Sequence, residues 1–170
     1  MPQRLPVSSW LAETARVEVG QGLAYWTLLS GPTLLPVLPA DHYVRHLRFA
    51  RSRAESTTKS YAGHLKRFEQ WRCVRGLSWE EAARDIAGHF IERRITPRAG
   101  PGRGQGRTPS DAGLAPALAA IHGFYRHAAD LGEVDRSVLR VLEEQGAAAA
   151  AAPAPSSTVP RHRPPPAAPS

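Results

Sequence analysis

The sequence contains a single cysteine and no long uninterrupted apolar run. Cys73 alone cannot form an intramolecular disulfide or a cysteine-based zinc site, which favours a reducing compartment. The most apolar stretch, residues 22–40, is interrupted by Gly31, Pro32 and Pro36, a pattern atypical of a transmembrane helix. The N-terminus also lacks the positively charged segment followed by an apolar segment that is typical of a signal peptide. The sequence therefore predicts a cytoplasmic protein with no membrane partner.

Acidic residues are scarce in one part of the chain. The net charge is +7, and the stretch from Arg45 to Arg75 contains nine basic and two acidic residues, a difference of seven. The remaining 13 basic and 13 acidic residues cancel. Positive charge concentrated in one stretch is typical of a surface that binds a polyanion.

Patterns typical of catalysis are missing as well. The seven histidines show no metal-ligand spacing, and the glycine-rich run at 100–106 lacks the Walker pattern. Two His-x-x-Arg patterns, at 42–45 and 64–67, are expected by chance in a basic chain. Tyr61 and Tyr125 lie on apolar stripes, which favours packing over nucleophilic roles. We therefore predict no catalytic residue, cofactor, metal or small-molecule substrate.

Helical periodicity is the strongest structural signal. The first predicted helix begins with Asp41 as its N-cap, and the second spans about 56–75, with Ser56 as N-cap and Gly76 after it. A capping box formed by Ser78 and Glu81 opens a third helix that ends near residue 95. A fourth covers about 115–131 and a fifth about 136–144. The supporting apolar positions are Tyr43, Leu47, Ala50, Tyr61, Leu65, Phe68, Trp71, Trp79, Ala82, Ala83, Ile86, Phe90, Leu118, Ile121, Tyr125 and Ala128.

The two ends of the sequence lack the helical periodicity of its middle part. Residues 1–22 have no strong period and predict a loose arm, while two β-prone runs around residues 30–32 predict a short hairpin. After Gly146, alanine and proline dominate, and such a composition predicts disorder. The predicted fold is all-α: a small orthogonal bundle of four to five helices. We expect three segments: an arm with a hairpin (1–39), a helical domain (40–145) and a disordered tail (146–170).

The second helix carries the candidate binding face. With Tyr61 at the centre of the buried side, Lys59, Gly63, Lys66 and Gln70 lie opposite, flanked by Ser60 and Arg67. Cations suit phosphate oxygens, hydroxyl groups such as those of Thr57 and Ser60 add hydrogen bonds, and Gly63 permits close backbone approach. The backbone amides of Thr57 and Thr58, in the first turn, are expected to favour a phosphate.

Other basic residues extend this face. A flexible loop at 97–107 carries basic residues and no acid, and Arg126, with His122, extends the patch from the fourth helix. The alternative is that these basic residues form an ordinary solvent-exposed helix surface that binds no partner. The predicted DNA-binding residues are Thr57, Lys59, Ser60, Gly63, Lys66, Arg67, Arg98, Arg103, Arg107 and Arg126.

These residues resemble a known family. The pattern consists of Thr57-x-x-x-Tyr61-x-x-x-Leu65-x-x-Phe68-x-x-Trp71, then Gly76, and then the segments "DIAGHFIERR" and "LAAIHGFYRHAADLG". It resembles the N-terminal core-binding (SAM-like) domain of tyrosine recombinases and phage integrases over about residues 40–140. That resemblance implies one half of a DNA clamp, with double-stranded DNA as partner and other recombinase subunits as further candidates. It assigns the contacts of the second helix to Thr57, Lys59, Ser60, Gly63 and Lys66.

Two departures from the family pattern matter. The fourth helix has "SDAGLAPALAA" where the family usually has Ser-Pro-x-Thr followed by polar or basic residues, which argues against a groove-facing role for it. The family's catalytic Arg, Lys, His-x-x-Arg, His or Trp, and Tyr set is not found in this sequence. The resemblance therefore predicts a truncated, catalytically inert DNA-binding module.

Two other functions remain open at the sequence level. The chain could be a helical adaptor whose basic face binds an acidic protein partner, with the apolar stretch 23–38 as a second docking element. Alternatively, it could supply only the clamp while a separate catalytic protein acts in trans.

Overall fold

The architecture is a β-hairpin packed on a bundle of helices. The computed structural model describes residues 11–95 and 114–151. Within these ranges the chain forms two antiparallel strands, six α-helices and a π-helical segment that continues the first helix, and the predicted helical class with a hairpin-like arm is confirmed. The elements are β1 (Glu13–Gly20), β2 (Leu23–Leu29), α1 (Leu38–Arg45), the π segment (His46–Ala50), α2 (Glu55–Arg75), α3 (Trp79–Arg84), α4 (Ile86–Ile95), α5 (Leu114–Asp130) and α6 (Ser137–Ala151).

The hairpin lies earlier in the chain than predicted. Its turn is at Gln21 and Gly22, both with positive φ, as a type I′ hairpin turn requires. The predicted turn at residues 30–32 belongs to a loop in which Leu34 donates its N–H to the carbonyl of Ser30. The placement was wrong because β1 fell within the predicted loose arm, although Ala15, Val17 and Val19 alternate there with Arg16 and Glu18, a strand-like pattern that the prediction missed.

Helix α2 lies at the centre of the fold. It packs against β2 on one side and against α5 on another, and it also contacts α1. The core that results joins Phe68 of α2 to Phe124 and Tyr125 of α5, all fully buried. Trp79 packs beside them, with its ring centroid 4.9 Å from that of Phe124. Burial of these aromatic rings stabilises the packing of α2 against α5.

The ends of α2 were predicted to within one residue, although the cap was not. Gly76 ends the helix with φ +65°, a left-handed conformation that glycine adopts without strain. At the start, Ala54 and not Ser56 occupies the N-cap position, and it makes no side-chain cap. Glu55 lies in the first turn, where Arg16 and Trp26 of the hairpin bind its carboxylate. Tertiary contacts therefore fix this helix start.

The third predicted helix is two helices. The capping box is confirmed: the Ser78 hydroxyl accepts from the Glu81 N–H at 3.1 Å, and the Glu81 carboxylate accepts from the Ser78 N–H at 2.8 Å. The chain then breaks at Asp85, where φ is −116° and ψ is 32°, and α4 begins at Ile86. The apolar spacing continues across the break, so the sequence pattern did not reveal it.

The last two helices complete the bundle. Helix α5 agrees with its predicted span to within one residue at each end, and Gly132 follows it with φ +75°. Helix α6 extends to Ala151, beyond the predicted end near Glu144 and into the segment assigned to the tail. Residues 152–170 lie outside the described residues, and the division into three segments stays a prediction. No helix within residues 11–95 and 114–151 is long and apolar enough to cross a bilayer.

Candidate nucleic-acid interface

The buried side of α2 is centred near Leu65 and not on Tyr61. Leu65 is 2% exposed and Thr58 fully buried, whereas Tyr61 is half-buried, with its ring centroid 6.2 Å from that of Tyr43. Since a residue four positions along a helix is displaced by about 40°, the solvent face is rotated by this amount from the prediction. The exposed residues along the middle of this face are Ser56, Ser60, Arg67 and Val74.

The predicted contact residues of α2 all reach the surface. Lys59, Ser60 and Arg67 are exposed, and the three others, Thr57, Gly63 and Lys66, are half-buried. None of the six lies in the core. Arg126 is exposed on α5, while the loop arginines at 98, 103 and 107 lie outside the described residues.

The hairpin and the segment before it border one side of this face. The Trp26 N–H donates to the Thr58 hydroxyl at 3.1 Å, and the Lys59 ammonium nitrogen lies 4.7 Å from the centroid of the Trp26 ring. Further along, the Gln70 amide donates to the Ala12 carbonyl at 3.0 Å. Gln70, predicted to lie on the polar face, is thus engaged by the N-terminal segment.

The first turn of α2 offers fewer free amides than expected. The N–H groups of Thr57 and Thr58 both donate to the Ala54 carbonyl, at 3.0 and 3.3 Å. The prediction that these two amides are available to a phosphate was therefore wrong. The helix uses its own backbone to satisfy them, as helix starts commonly do.

Gly63 has no packing reason to be glycine. A Cβ atom added there would meet nothing within 4 Å. Gly123 on α5 differs, because a Cβ added at that position would lie 2.1 Å from the hydroxyl oxygen of Tyr43. Glycine in a helix interior costs about 1 kcal/mol relative to alanine. The internal packing of the protein explains this cost at Gly123 but not at Gly63.

The two acidic residues of the basic stretch are both engaged. Glu55 accepts from the Arg16 guanidinium at 2.6 Å, which lowers the pKa of its carboxyl group. Buried Glu69 pairs with Arg72 at 2.7 Å. In contrast, several basic side chains form no ion pair with any residue in the described ranges; they are Arg51, Arg53, Lys66 and Arg126. The positive charge of these four side chains is therefore not neutralised by an ion pair within the described ranges.

Arg51 and Arg53 were missing from the predicted site. They lie in the loop between the π segment and α2, where Ser52 adopts φ +49°. Arg48 fixes this loop, since its guanidinium donates to the Ala24 carbonyl at 2.9 Å and to the Arg53 carbonyl at 3.1 Å. The charge count was the only sequence signal for these two arginines, because loop residues have no helical periodicity to assign them to a face.

Three arginines lie near the Tyr43 hydroxyl. The Tyr43 hydroxyl abuts Gly123, one helical turn before Arg126. Burial raises the pKa of Tyr43, the neighbouring Tyr61 raises it further, and the positive charges of Arg126, Arg51 and Arg53 oppose that rise. These three charges are thus close enough to act on one hydroxyl group. Since Tyr43 packs beside Tyr61, this arginine cluster (Arg51, Arg53 and Arg126) lies close to α2.

Comparison with protein-family models gives a match to the family described as phage integrase, N-terminal SAM-like domain, over residues 40–132. The matched segment covers more than half of the 170 residues. The chain belongs to this family. Comparisons with curated proteins and with solved structures gave no match.

The SAM-like domain match has clear boundaries in the fold. It begins within α1 and ends at Gly132, just after α5, so it includes α2 and the arginine cluster. The hairpin and α6 lie outside it. No match to a recombinase catalytic domain was found. The resemblance seen in the sequence is confirmed, and it links this SAM-like domain to recombination and integration proteins.

The side chains that resembled catalytic groups have structural partners in this SAM-like domain. Tyr125 is fully buried and its hydroxyl donates to the Trp79 carbonyl at 2.7 Å, which confirms its packing role. His42 pairs with Glu133. Burial, then the charge of Glu69, raises the pKa of the Cys73 thiol to about 11. Among residues 11–95 and 114–151, no three His, Cys, Asp or Glu side chains are grouped as metal ligands.

Proposed function

We propose that this chain binds double-stranded DNA as the core-binding module of a tyrosine recombinase or integrase. The observation that carries the proposal is the positive charge on and near α2 that no ion pair neutralises within the described ranges, carried by Lys59, Lys66 and the arginine cluster. Membership of the integrase SAM-like family supports DNA as the polyanion, in preference to an acidic protein bound by a helical adaptor.

The dimensions of the face suit a duplex. An α-helix with its side chains is about 10–12 Å across, and the major groove of DNA is about 12 Å wide, so α2 can lie in the groove. Lys59, Lys66 and Arg67 are expected to contact phosphate oxygens, while the Ser60 hydroxyl can donate to or accept from a phosphate or a base edge. Gly63, between them, allows the backbone of α2 to lie close to the DNA.

The arginine cluster provides a second set of contacts. Arg51, Arg53 and Arg126 lie near Tyr43, which packs beside Tyr61 of α2, so they are expected to reach phosphates next to those bound by α2. Phosphate contacts of this kind fix the register and orientation of a protein on DNA without reading sequence. Arg98, Arg103 and Arg107 stay predictions, as does Thr57 at the edge of the face.

Salt dependence tests the proposal. If about five phosphates are neutralised, a plot of log binding constant against log salt concentration should have a slope of about −4.5. Fluorescence anisotropy with a labelled random-sequence duplex measures this slope. Arg140→Ala on α6, an exposed residue outside the proposed face, is the control and should leave the slope nearly unchanged. Binding that does not respond to salt would contradict the proposal.

We also expect this chain alone to bind DNA without cutting it. Strand transfer by a tyrosine requires an exposed nucleophile beside cations that stabilise the pentacoordinate phosphate. Tyr25, Tyr43 and Tyr125 are buried, and half-buried Tyr61 packs beside Tyr43. Incubation with a suicide duplex followed by denaturing electrophoresis should reveal no covalent complex. A phosphotyrosine adduct would overturn the expectation of inertness while leaving DNA binding intact.

A further inference from the structure

Trp26 on β2 has an unusual set of contacts with the start of α2. Its backbone N–H donates to the Thr58 hydroxyl at 3.1 Å, and its indole Nε1–H donates to the Glu55 carboxylate at 3.2 Å. The ring is therefore fixed at its backbone and at its polar edge. Its face lies under Lys59, with the ammonium nitrogen 4.7 Å from the ring centroid.

The ordinary partner of Lys59 is occupied. Glu55 precedes Lys59 by four residues, a spacing at which glutamate and lysine commonly pair on a helix. Arg16 of β1 instead binds the Glu55 carboxylate through two nitrogens, at 2.6 and 3.2 Å. Lys59 forms no ion pair within the described ranges and rests on the indole ring.

An ion pair with Glu55 and a cation–π contact with Trp26 differ in how much of the Lys59 charge remains available to DNA. An ion pair with Glu55 would neutralise the ammonium charge and would have to be broken before a phosphate could bind. A cation–π contact orients the ammonium group and leaves its charge and N–H groups available. The contact also restricts the Lys59 side chain before DNA binds, so that less rotamer entropy is lost on binding.

We propose that Trp26 is a positioning residue for DNA binding: the hairpin, which lies outside the family match, holds Lys59 ready for a phosphate of the duplex. This inference rests on the proposed DNA-binding function. It extends the interface from the helical domain to an N-terminal element, and it assigns Arg16 the role of keeping Glu55 away from Lys59.

A double-mutant cycle on duplex affinity tests the inference. The four proteins are the full chain, Trp26→Leu, Lys59→Ala and the double variant, measured by anisotropy against one labelled random-sequence duplex at fixed salt. Trp26→Leu should weaken binding by roughly two- to fivefold when Lys59 is present, in line with the strength of an exposed cation–π contact. In the Lys59→Ala background the same substitution should have no measurable effect.

A merely structural role for Trp26 gives a different result. Damage to the fold would weaken binding equally in both backgrounds, and that additivity would overturn the inference. Tighter binding by Trp26→Leu would also overturn it, because the ring would then compete with DNA for Lys59. If the unmutated chain binds the duplex without salt dependence, the proposed DNA-binding function itself fails. If the unmutated chain binds as expected but the effects of the two substitutions are additive, only the inference about Trp26 fails.

A second variant covers the case in which Trp26→Leu does not fold. Trp26→Phe retains an aromatic face and apolar packing but loses the Nε1–H donated to Glu55, and phenylalanine is a weaker cation partner than tryptophan. It should lower affinity less than Trp26→Leu, and only when Lys59 is present. A loss that persists in the Lys59→Ala background would contradict the inference. Far-UV circular dichroism checks that each variant is folded.

Discussion

Replacing Gly63 with alanine separates the stability of α2 from its proposed contact with DNA. The added methyl group meets nothing within 4 Å, so it introduces no clash. Alanine is favoured over glycine in a helix interior by about 1 kcal/mol. We therefore expect the unfolding free energy to rise by about that amount, which raises the thermal midpoint by roughly 4 °C in a domain of this size. Thermal denaturation followed by circular dichroism measures it.

The same substitution should weaken duplex binding severalfold, because the methyl group projects into the space where the DNA is proposed to lie. Gly123→Ala is the matched control. There the added Cβ would lie 2.1 Å from the buried Tyr43 hydroxyl, and overpacking should lower stability by about 1–3 kcal/mol. A Gly63→Ala variant that is stabilised but binds DNA as before would refute close approach at this residue. A destabilised variant would refute the assigned orientation of α2.

Three further predictions follow from individual side chains. Lys59→Ala combined with Lys66→Ala should reduce the magnitude of the salt slope by about two, with little change in the thermal midpoint, since neither side chain lies in the core; an unfolded double variant would contradict this. Ser78→Ala should lower the unfolding free energy by about 1 kcal/mol through loss of the capping box, whereas Ser56→Ala, which removes no cap, should not. Cys73 should react slowly with iodoacetamide near neutral pH in the folded protein, because its thiol pKa is about 11; rapid labelling without denaturant would be inconsistent with that burial.

Much of the helical framework could be predicted from local signals. Gly76 and Gly132 mark helix ends because each adopts a positive φ that other residues reach only with strain. The capping box at Ser78 is likewise a local pattern, with both partners within four residues. Signals of this kind depend on short stretches of chain, so they can be read directly from the sequence.

The features that sequence reasoning missed depend on tertiary contacts. The start of α2 at Glu55 depends on Arg16 and Trp26, which are distant in sequence. The rotation of its exposed face depends on which residue packs deepest, and a stripe containing both Tyr61 and Leu65 leaves this open. The arginine cluster combines a loop with α5, and only the fold brings these elements together.

Mapping the bound surface by NMR tests the central claim most directly. The ¹⁵N-labelled protein is titrated with duplex DNA, and the shifts of its backbone amides are followed. We predict the largest changes at Ser56, Ser60, Gly63 and Arg67 on α2, accompanied by changes at Arg53 in the preceding loop. Changes confined to α3 and α6, with the amides of α2 unaffected, would contradict the account.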